Sequence, residues 1–226
     1  IYQGFLSSWD RSHLTKLSEV VHSQGLEVSM FAGYNNFGYP DKSELEKQIS
    51  LLKRNVDAAL VFGTRIVRVV SGSWHPGLSR DQALINVAEC LRKSVEYAEE
   101  RGVTLALEDH PQIGTRSADF MKILRLADTD ELKVNLDTSN PMVSGEDAVD
   151  LVKLVKDRVV HVHASDRNEN LEHIVVGEGV VKFPQIFQGL KGGGFDDWIS
   201  LEVGGEEGKE GIRRSMAYVR ETWKAA

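Results

Sequence analysis

The stretch "VVHVHASDR", residues 159–167, contains two histidines within an apolar run and then reaches an acid and an arginine. Alternate side chains of a β-strand point to the same face, so His161 and His163 share a face if this run is a strand. A single buried histidine is more often a hydrogen-bonded core residue than a ligand. A role as a ligand therefore requires partner residues elsewhere in the chain.

Five other short runs share the apolar, β-branched character of this stretch. They are "LEVSMF" (26–31), "RIVRVV" (65–70), "VTLALE" (103–108), "LKVNLD" (132–137) and "WISLEV" (198–203). Together with "RVVHVH" (158–163) they predict six strands, each buried on both faces. Successive runs begin about 26 to 40 residues apart, which is typical of consecutive βα units in a parallel sheet.

Helical patterns lie between these runs. The clearest covers residues 82–101, where apolar residues recur every three or four positions and form one stripe. Capping-box spacing precedes two helices, at Ser79 with Gln82 and at Ser43 with Glu46. Gly63 and Gly102 stand where helices are expected to end.

Composition limits the kinds of protein this chain can be. With 226 residues, 41% hydrophobic and 27% charged, it can bury one substantial core, so we expect a single domain over 1–226. Its one cysteine, Cys90, excludes an internal disulfide and fits a reducing, cytoplasmic compartment. A net charge of −7 argues against a nucleic-acid partner. No apolar run approaches the roughly 18 residues of a membrane span, which argues against a membrane partner.

A closed barrel fits the pattern better than an open nucleotide-binding sheet. Such a sheet carries a glycine-rich phosphate loop after an early strand. The glycine-rich stretches here, "GEG" at 177–179 and "KGGGF" at 191–195, come late in the chain. The sequence therefore predicts an α/β fold built as a (β/α) barrel.

Four of the predicted strands carry a carboxylate or an imidazole at or near their C-terminal ends. These residues are Glu108, Asp137, His163 and Glu202. Taken singly, each is equally explained as a helix cap or a loop-side polar residue. In a barrel, however, the C-terminal ends of all strands face one mouth. Three oxygens and one nitrogen suit Mn²⁺, Mg²⁺ or Co²⁺, with Zn²⁺ as a further candidate.

At these residues the sequence resembles the xylose-isomerase-like barrels. The resemblance runs from about Gly25 to the C-terminus and is most specific in "HIVVGEGVVKFPQIFQGLKGGGFDDWISLEV" (173–203). The motifs "LALEDH", "VNLDTSN" and "VHVHASD" follow the other three ligand motifs of that family in order. The resemblance implies a (β/α)8 TIM barrel that lacks its first two strands in this chain. A gap beside the strand at 26–31 is then expected.

The family includes sugar isomerases and epimerases, hydroxypyruvate isomerase, inosose dehydratase and endonuclease IV. By resemblance to its epimerases, Glu108 and Glu202 are the acid and base of a keto-sugar isomerase or epimerase that works through an enediolate. Loss of a β-hydroxyl from the same enediolate would make the protein a dehydratase of a keto-polyol instead. A non-catalytic sugar-binding barrel or subunit, and a homo-oligomer, stay open.

Six further residues are candidates for contact with a carbohydrate substrate: Trp74, His75, His110, Asn140, Arg167 and His173. Ketohexose epimerases of the family carry a histidine at the position of Asn140 and an arginine at that of Glu169, for which Arg167 is the nearest substitute. The endonucleases of the family carry zinc ligands at the positions of Asn140 and Leu171, and a leucine cannot ligate zinc. The departures therefore argue against an ordinary ketohexose 3-epimerase and against DNA repair.

Overall fold

The computed structural model describes residues 1–204 and 208–226. It consists of two compact units. The first comprises Ile1–Glu108 and Lys122–Lys133, and the second comprises Asp109–Met121 and Val134–Ala226. The single domain expected from the sequence stays a prediction, and each unit is described by itself.

The first unit alternates helices with parallel strands. Its elements are α1 (Arg11–Ser23), β1 (Phe31–Ala32), α2 (Lys42–Val61), β2 (Ile66–Val70), α3 (Arg80–Glu99) and β3 (Thr104–Glu108). β1 pairs with β2, and β2 pairs with β3, in parallel. The register places Val70 opposite Glu108 at the C-terminal end of the β2–β3 pair. The predicted strands at 65–70 and 103–108 are confirmed.

The helix ends follow local capping chemistry. Ser79 caps α3 by accepting a hydrogen bond from the backbone N–H of Gln82 at 3.2 Å, as its spacing predicts. The cap predicted at Ser43 is wrong, because Asp41 caps α2 by accepting from the Ser43 N–H at 2.6 Å. Gly102 follows α3 with a φ of +63°, a left-handed conformation that favours glycine.

The strand predicted at 26–31 shrinks to β1, with Phe31 as its first residue. Backbone carbonyls before it accept from groups that do not belong to a strand. Ser29 accepts from the Thr64 hydroxyl at 3.0 Å, and Met30 accepts from the backbone nitrogen of Ile1 at 2.9 Å. The expected gap beside β1 is occupied in part, since Tyr2 forms a parallel bridge with Ala32.

The second unit is built around β5. Its elements are β4 (Lys133–Asp137), α5 (Ala148–Val155), β5 (Val159–Arg167), β6 (His173–Ile174), α6 (Phe183–Gly192), β7 (Ile199–Glu202) and α7 (Gly208–Ala225), and α4 (Ser117–Ala127) begins in it. β5 pairs in parallel with β4 and β7, and its end pairs with β6 in the antiparallel sense. The extension of β5 to Arg167, and the whole of β6, were not predicted.

One buried carboxylate holds the loop between β6 and α6. Asp166 accepts hydrogen bonds from the backbone N–H groups of Gly177, Gly179 and Val181 at 2.8, 3.0 and 3.2 Å. Gly177 has a φ of +95°, which the turn requires. Within the described residues, no helix has the length and apolar character of a membrane span.

Candidate metal centre

Three of the four predicted metal ligands meet in the second unit. Asp137 ends β4, His163 lies in β5 and Glu202 ends β7. Each offers a ligand atom within 4.8 Å of the others, and Nδ1 of His163 lies 3.5 Å from Oε2 of Glu202. Ligands at about 2.0–2.6 Å from a common ion lie roughly 3–5 Å apart. These three residues, called the ligand cluster below, fit one divalent ion.

Asp137 is oriented by donors to one of its two oxygens. Oδ1 accepts from the backbone N–H groups of Ser139 and Asn140, each at 2.8 Å, and from the Ser165 hydroxyl at 2.7 Å. Such bonds fix the carboxylate and leave Oδ2 for an ion. Asn140, predicted to contact substrate, therefore helps to hold Asp137 through its backbone.

Asn135 connects the two histidines of β5. Its Oδ1 lies 2.9 Å from Nδ1 of His161, and its Nδ2 lies 3.3 Å from Nδ1 of His163. An amide oxygen only accepts, so we assign the His161 proton to Nδ1. Nε2 of His161 then accepts from the Ser200 hydroxyl at 3.0 Å. His161 orients the amide that faces His163 and is not itself in the ligand cluster.

Glu202 differs from its partners in exposure. Its side chain is 53% exposed, whereas Asp137 and His163 are buried. In the β5–β7 register it lies opposite Ser165, the residue that holds Asp137. A carboxylate that solvent and small molecules can reach is suited to exchanging a proton as well as to binding an ion.

Glu108 lies in the first unit, at the end of β3. It is buried, and its Oε2 accepts from Nη1 of Arg68 at 3.1 Å. Arg68 is held in turn by two bonds to the carbonyl of Gly33. The ion pair offsets the cost of burying the carboxylate charge. The next residue, Asp109, accepts from the backbone N–H of Asp137 at 2.8 Å.

The remaining candidates for substrate contact fall in both units. In the second unit, His173 lies opposite Arg167 in the β5–β6 pair, and Nδ1 of His110 lies 3.2 Å from the carbonyl oxygen of Pro111. In the first unit, Trp74 and His75 are exposed. Contact between these residues and a substrate stays a prediction.

Four polar residues that hold the candidate ligands were not predicted from the sequence. These are Arg68, Asn135, Ser139 and Ser165. Asn135 left a signal, because it stands two residues before Asp137 and therefore on the same face of a strand. Arg68 left a similar one, as a cation inside an apolar run. Ser165 left the same signal, because it stands two residues after His163 in β5, whereas Ser139, which follows β4, left none.

Residues 2–222 match the sequence model of the family described as xylose isomerase-like TIM barrel. The chain belongs to the xylose isomerase-like TIM barrel family. Its α/β class and barrel type, predicted from the sequence, are thereby confirmed.

Proteins similar to this chain carry different descriptions. An uncharacterized protein of Methanocaldococcus jannaschii is 25% identical over 198 residues, covering 82% of this chain and 67% of that protein. An inosose dehydratase of Lacticaseibacillus casei is 24% identical over 136 residues, covering 52% of this chain and 46% of the dehydratase. The solved structure of a D-tagatose 3-epimerase-like protein has a TM-score of 0.79 at 22% identity, covering 96% of this chain and 86% of that one. This chain thus spans less than half the length of the dehydratase, and the epimerase-like structure supports the fold alone.

Proposed function

We propose that this protein is a divalent-metal-dependent isomerase or epimerase of a keto-sugar or sugar derivative, acting through an enediolate. The observation that carries the proposal is the ligand cluster at the C-terminal ends of parallel strands. Its members would hold the ion, with Glu108 as the fourth ligand. The set of three carboxylates and one imidazole favours Mn²⁺, Mg²⁺ or Co²⁺, and also admits Zn²⁺.

The proposed chemistry is proton transfer beside a ketone. A bound divalent ion supplies Lewis-acid stabilisation of the negative charge on the ketone oxygen. Glu202, the exposed carboxylate, takes the proton from the adjacent carbon. For epimerisation, Glu108 delivers to the opposite face of the same carbon a proton that it has first taken up from solvent. For isomerisation, Glu202 returns its proton to the neighbouring carbon. Arg68 holds the Glu108 carboxylate in place for either outcome.

A dehydratase is the second candidate. The inosose dehydratase relative supports it, because loss of a β-hydroxyl can follow from the same enediolate. The proton taken by Glu202 is common to both reactions, so both would need the same residues. A third candidate is a non-catalytic sugar-binding barrel. Such a protein would bind the ion but would not transfer a proton.

Exchange of a substrate C–H with solvent deuterium tests the proposal, since every reaction considered begins with that proton. The Mn²⁺-loaded protein is incubated in D₂O with keto-sugars and inososes, and the carbon-bound proton signals are followed by NMR. Exchange with recovery of an epimer or isomer supports the proposal, and exchange with loss of water supports the dehydratase. If the protein binds the ion but exchanges deuterium on none of these compounds, the non-catalytic sugar-binding barrel is favoured. Chelator-treated protein is the control.

A further inference from the structure

Arg167 continues the polar face of β5 beyond the ligand cluster. Residues at alternate positions of the strand share this face: His161, His163, Ser165 and Arg167. Arg167 is only 9% exposed. Its Cα lies roughly 13 Å along the strand from that of His163. Its Nε nevertheless reaches the hydroxyl of Ser139 at 3.1 Å.

The partners of this buried guanidinium are neutral. Nε donates to the Ser139 hydroxyl, and Nη1 donates to the carbonyl of Leu171 at 2.6 Å. Within residues 1–204 and 208–226, no carboxylate forms an ion pair with Arg167. A buried charge without a counter-charge is costly, so a ligand that supplies one would be bound favourably.

His173 is the neighbour of Arg167 across the β5–β6 pair. Its Nδ1 is buried and has no hydrogen-bond partner within the described residues. Burial, and then the charge of Arg167, lowers the pKa of His173 below the ordinary 6.5, although Asp137 acts in the opposite direction. Because Nδ1 is buried, the neutral ring offers a ligand its Nε2, which donates or accepts according to the tautomer.

Hydroxyl groups connect Arg167 to the ligand cluster. Oγ of Ser139 lies 2.6 Å from Oγ of Ser165, which donates to Asp137 Oδ1 at 2.7 Å. Oγ of Ser139 also lies 3.4 Å from Asp137 Oδ1, so Arg167 is two hydrogen bonds from a proposed metal ligand. A group bound by Arg167 can belong to the same small molecule as a ketone bound at the cluster.

We infer that Arg167 and His173 form a subsite for an anionic group of the substrate, a carboxylate or a phosphate, beside the ligand cluster. This inference rests on the proposed function and names its substrate class. The substrate is a keto-polyol or keto-sugar that carries its negative charge away from the reacting carbon. Guanidinium N–H groups match the oxygens of either anion, and a neutral sugar would leave the charge of Arg167 uncompensated.

Isothermal titration of the Mn²⁺-loaded protein tests the subsite with matched probes. The anionic probes are 3-dehydroshikimate, a ring ketone with a carboxylate, and fructose 6-phosphate; the neutral ones are 2-keto-myo-inositol and fructose. We expect one anionic probe to bind about ten- to a hundredfold more tightly than its neutral counterpart, the scale of a hydrogen bond to a charged group. Whether the carboxylate or the phosphate is preferred identifies the anion.

Three variants assign the preference to Arg167. Arg167→Gln should lower the affinity for the anionic probe about ten- to a hundredfold more than the affinity for its neutral counterpart, and Arg167→Lys should retain part of the preference. Arg213→Gln removes an exposed arginine of α7 and should behave like wild type. Circular dichroism and Mn²⁺ affinity check that the variants fold.

Two results would overturn the subsite: no tighter binding of either anionic probe, or equal loss of anionic and neutral binding in Arg167→Gln. If deuterium exchange occurs on the neutral probes alone, the proposed function is supported and the subsite is rejected. If anionic probes bind more tightly but no probe exchanges deuterium, the subsite is supported and the proposed function is rejected.

Discussion

The side-chain oxygen of Asn135 lies 2.9 Å from Nδ1 of His161, across the parallel pair β4–β5. The same amide places its nitrogen 3.3 Å from His163. The two histidines of β5 therefore have different tasks. We interpret His163 as a ligand and His161 as the residue that keeps the Asn135 amide beside it in one orientation.

His161→Phe should weaken Mn²⁺ binding by about tenfold, the lower end of the range for losing an outer partner of a metal site. The phenylalanine ring keeps the volume but loses both hydrogen bonds, so Asn135 can turn. Titration calorimetry measures the affinity, and His13→Phe, a half-buried histidine of α1, is the control. Unchanged Mn²⁺ affinity in His161→Phe would show that His161 only packs.

Glu202→Gln should lower deuterium exchange by about a hundredfold or more, the scale of a general acid–base residue. Glutamine keeps an oxygen for the ion but cannot take the proton, so Mn²⁺ affinity should fall only modestly. NMR follows the exchange and calorimetry follows the ion. Exchange at the wild-type rate would refute the proton-transfer role of Glu202.

Asp137→Asn should behave in the opposite way. Because the donors from Ser139, Asn140 and Ser165 require an oxygen at the Oδ1 position, the new amide nitrogen must take the place of Oδ2. An amide NH₂ cannot ligate, so we expect Mn²⁺ affinity to fall by more than the roughly 10–100-fold cost of losing an outer partner. Excess Mn²⁺ should restore part of the exchange activity. A variant with normal Mn²⁺ affinity would remove Asp137 from the ligand set.

Gly179→Ala should destabilise the protein by about 1–3 kcal/mol. A Cβ at this position would collide with Oδ1 of Asp166 and with the carbonyl oxygen of Arg167. Gly192→Ala, at the end of α6, meets nothing within 4 Å and is the matched control. Urea unfolding gives the free energies. Equal stability of the two variants would contradict the role of Asp166 in holding its loop.

Cys90 should not react with iodoacetamide in the folded protein at pH 8. Burial raises the pKa of its thiol to about 12, so almost no thiolate is present at that pH. Labelling should appear in urea with the same midpoint as unfolding followed by circular dichroism. Rapid labelling of the native protein, measured by mass spectrometry, would contradict the raised pKa of the Cys90 thiol.

Much of the fold could be predicted from local patterns. Apolar runs predicted β2, β3 and β4. The residue spacing also predicted the cap of α3 at Ser79 and the helix end at Gly102, which has a left-handed conformation. Each of these features depends on residues that are close in the chain. The cap of α2 and the length of β1 were wrong, because Asp41 competed with Ser43, and distant groups took the carbonyls before Phe31.

The candidate site divides in the same way. The sequence by itself predicted Asp137, His163 and Glu202 as partners near strand ends, although β5 continues past His163 to Arg167. Only the tertiary structure decided what holds them. β4 and β5 slip by one residue between Val134 and Asn135, and this slip brings Asn135 opposite His161 and Asp137 opposite His163. Register depends on how two strands pair, here between residues 26 positions apart in the chain, and the apolar run of neither strand predicted the slip.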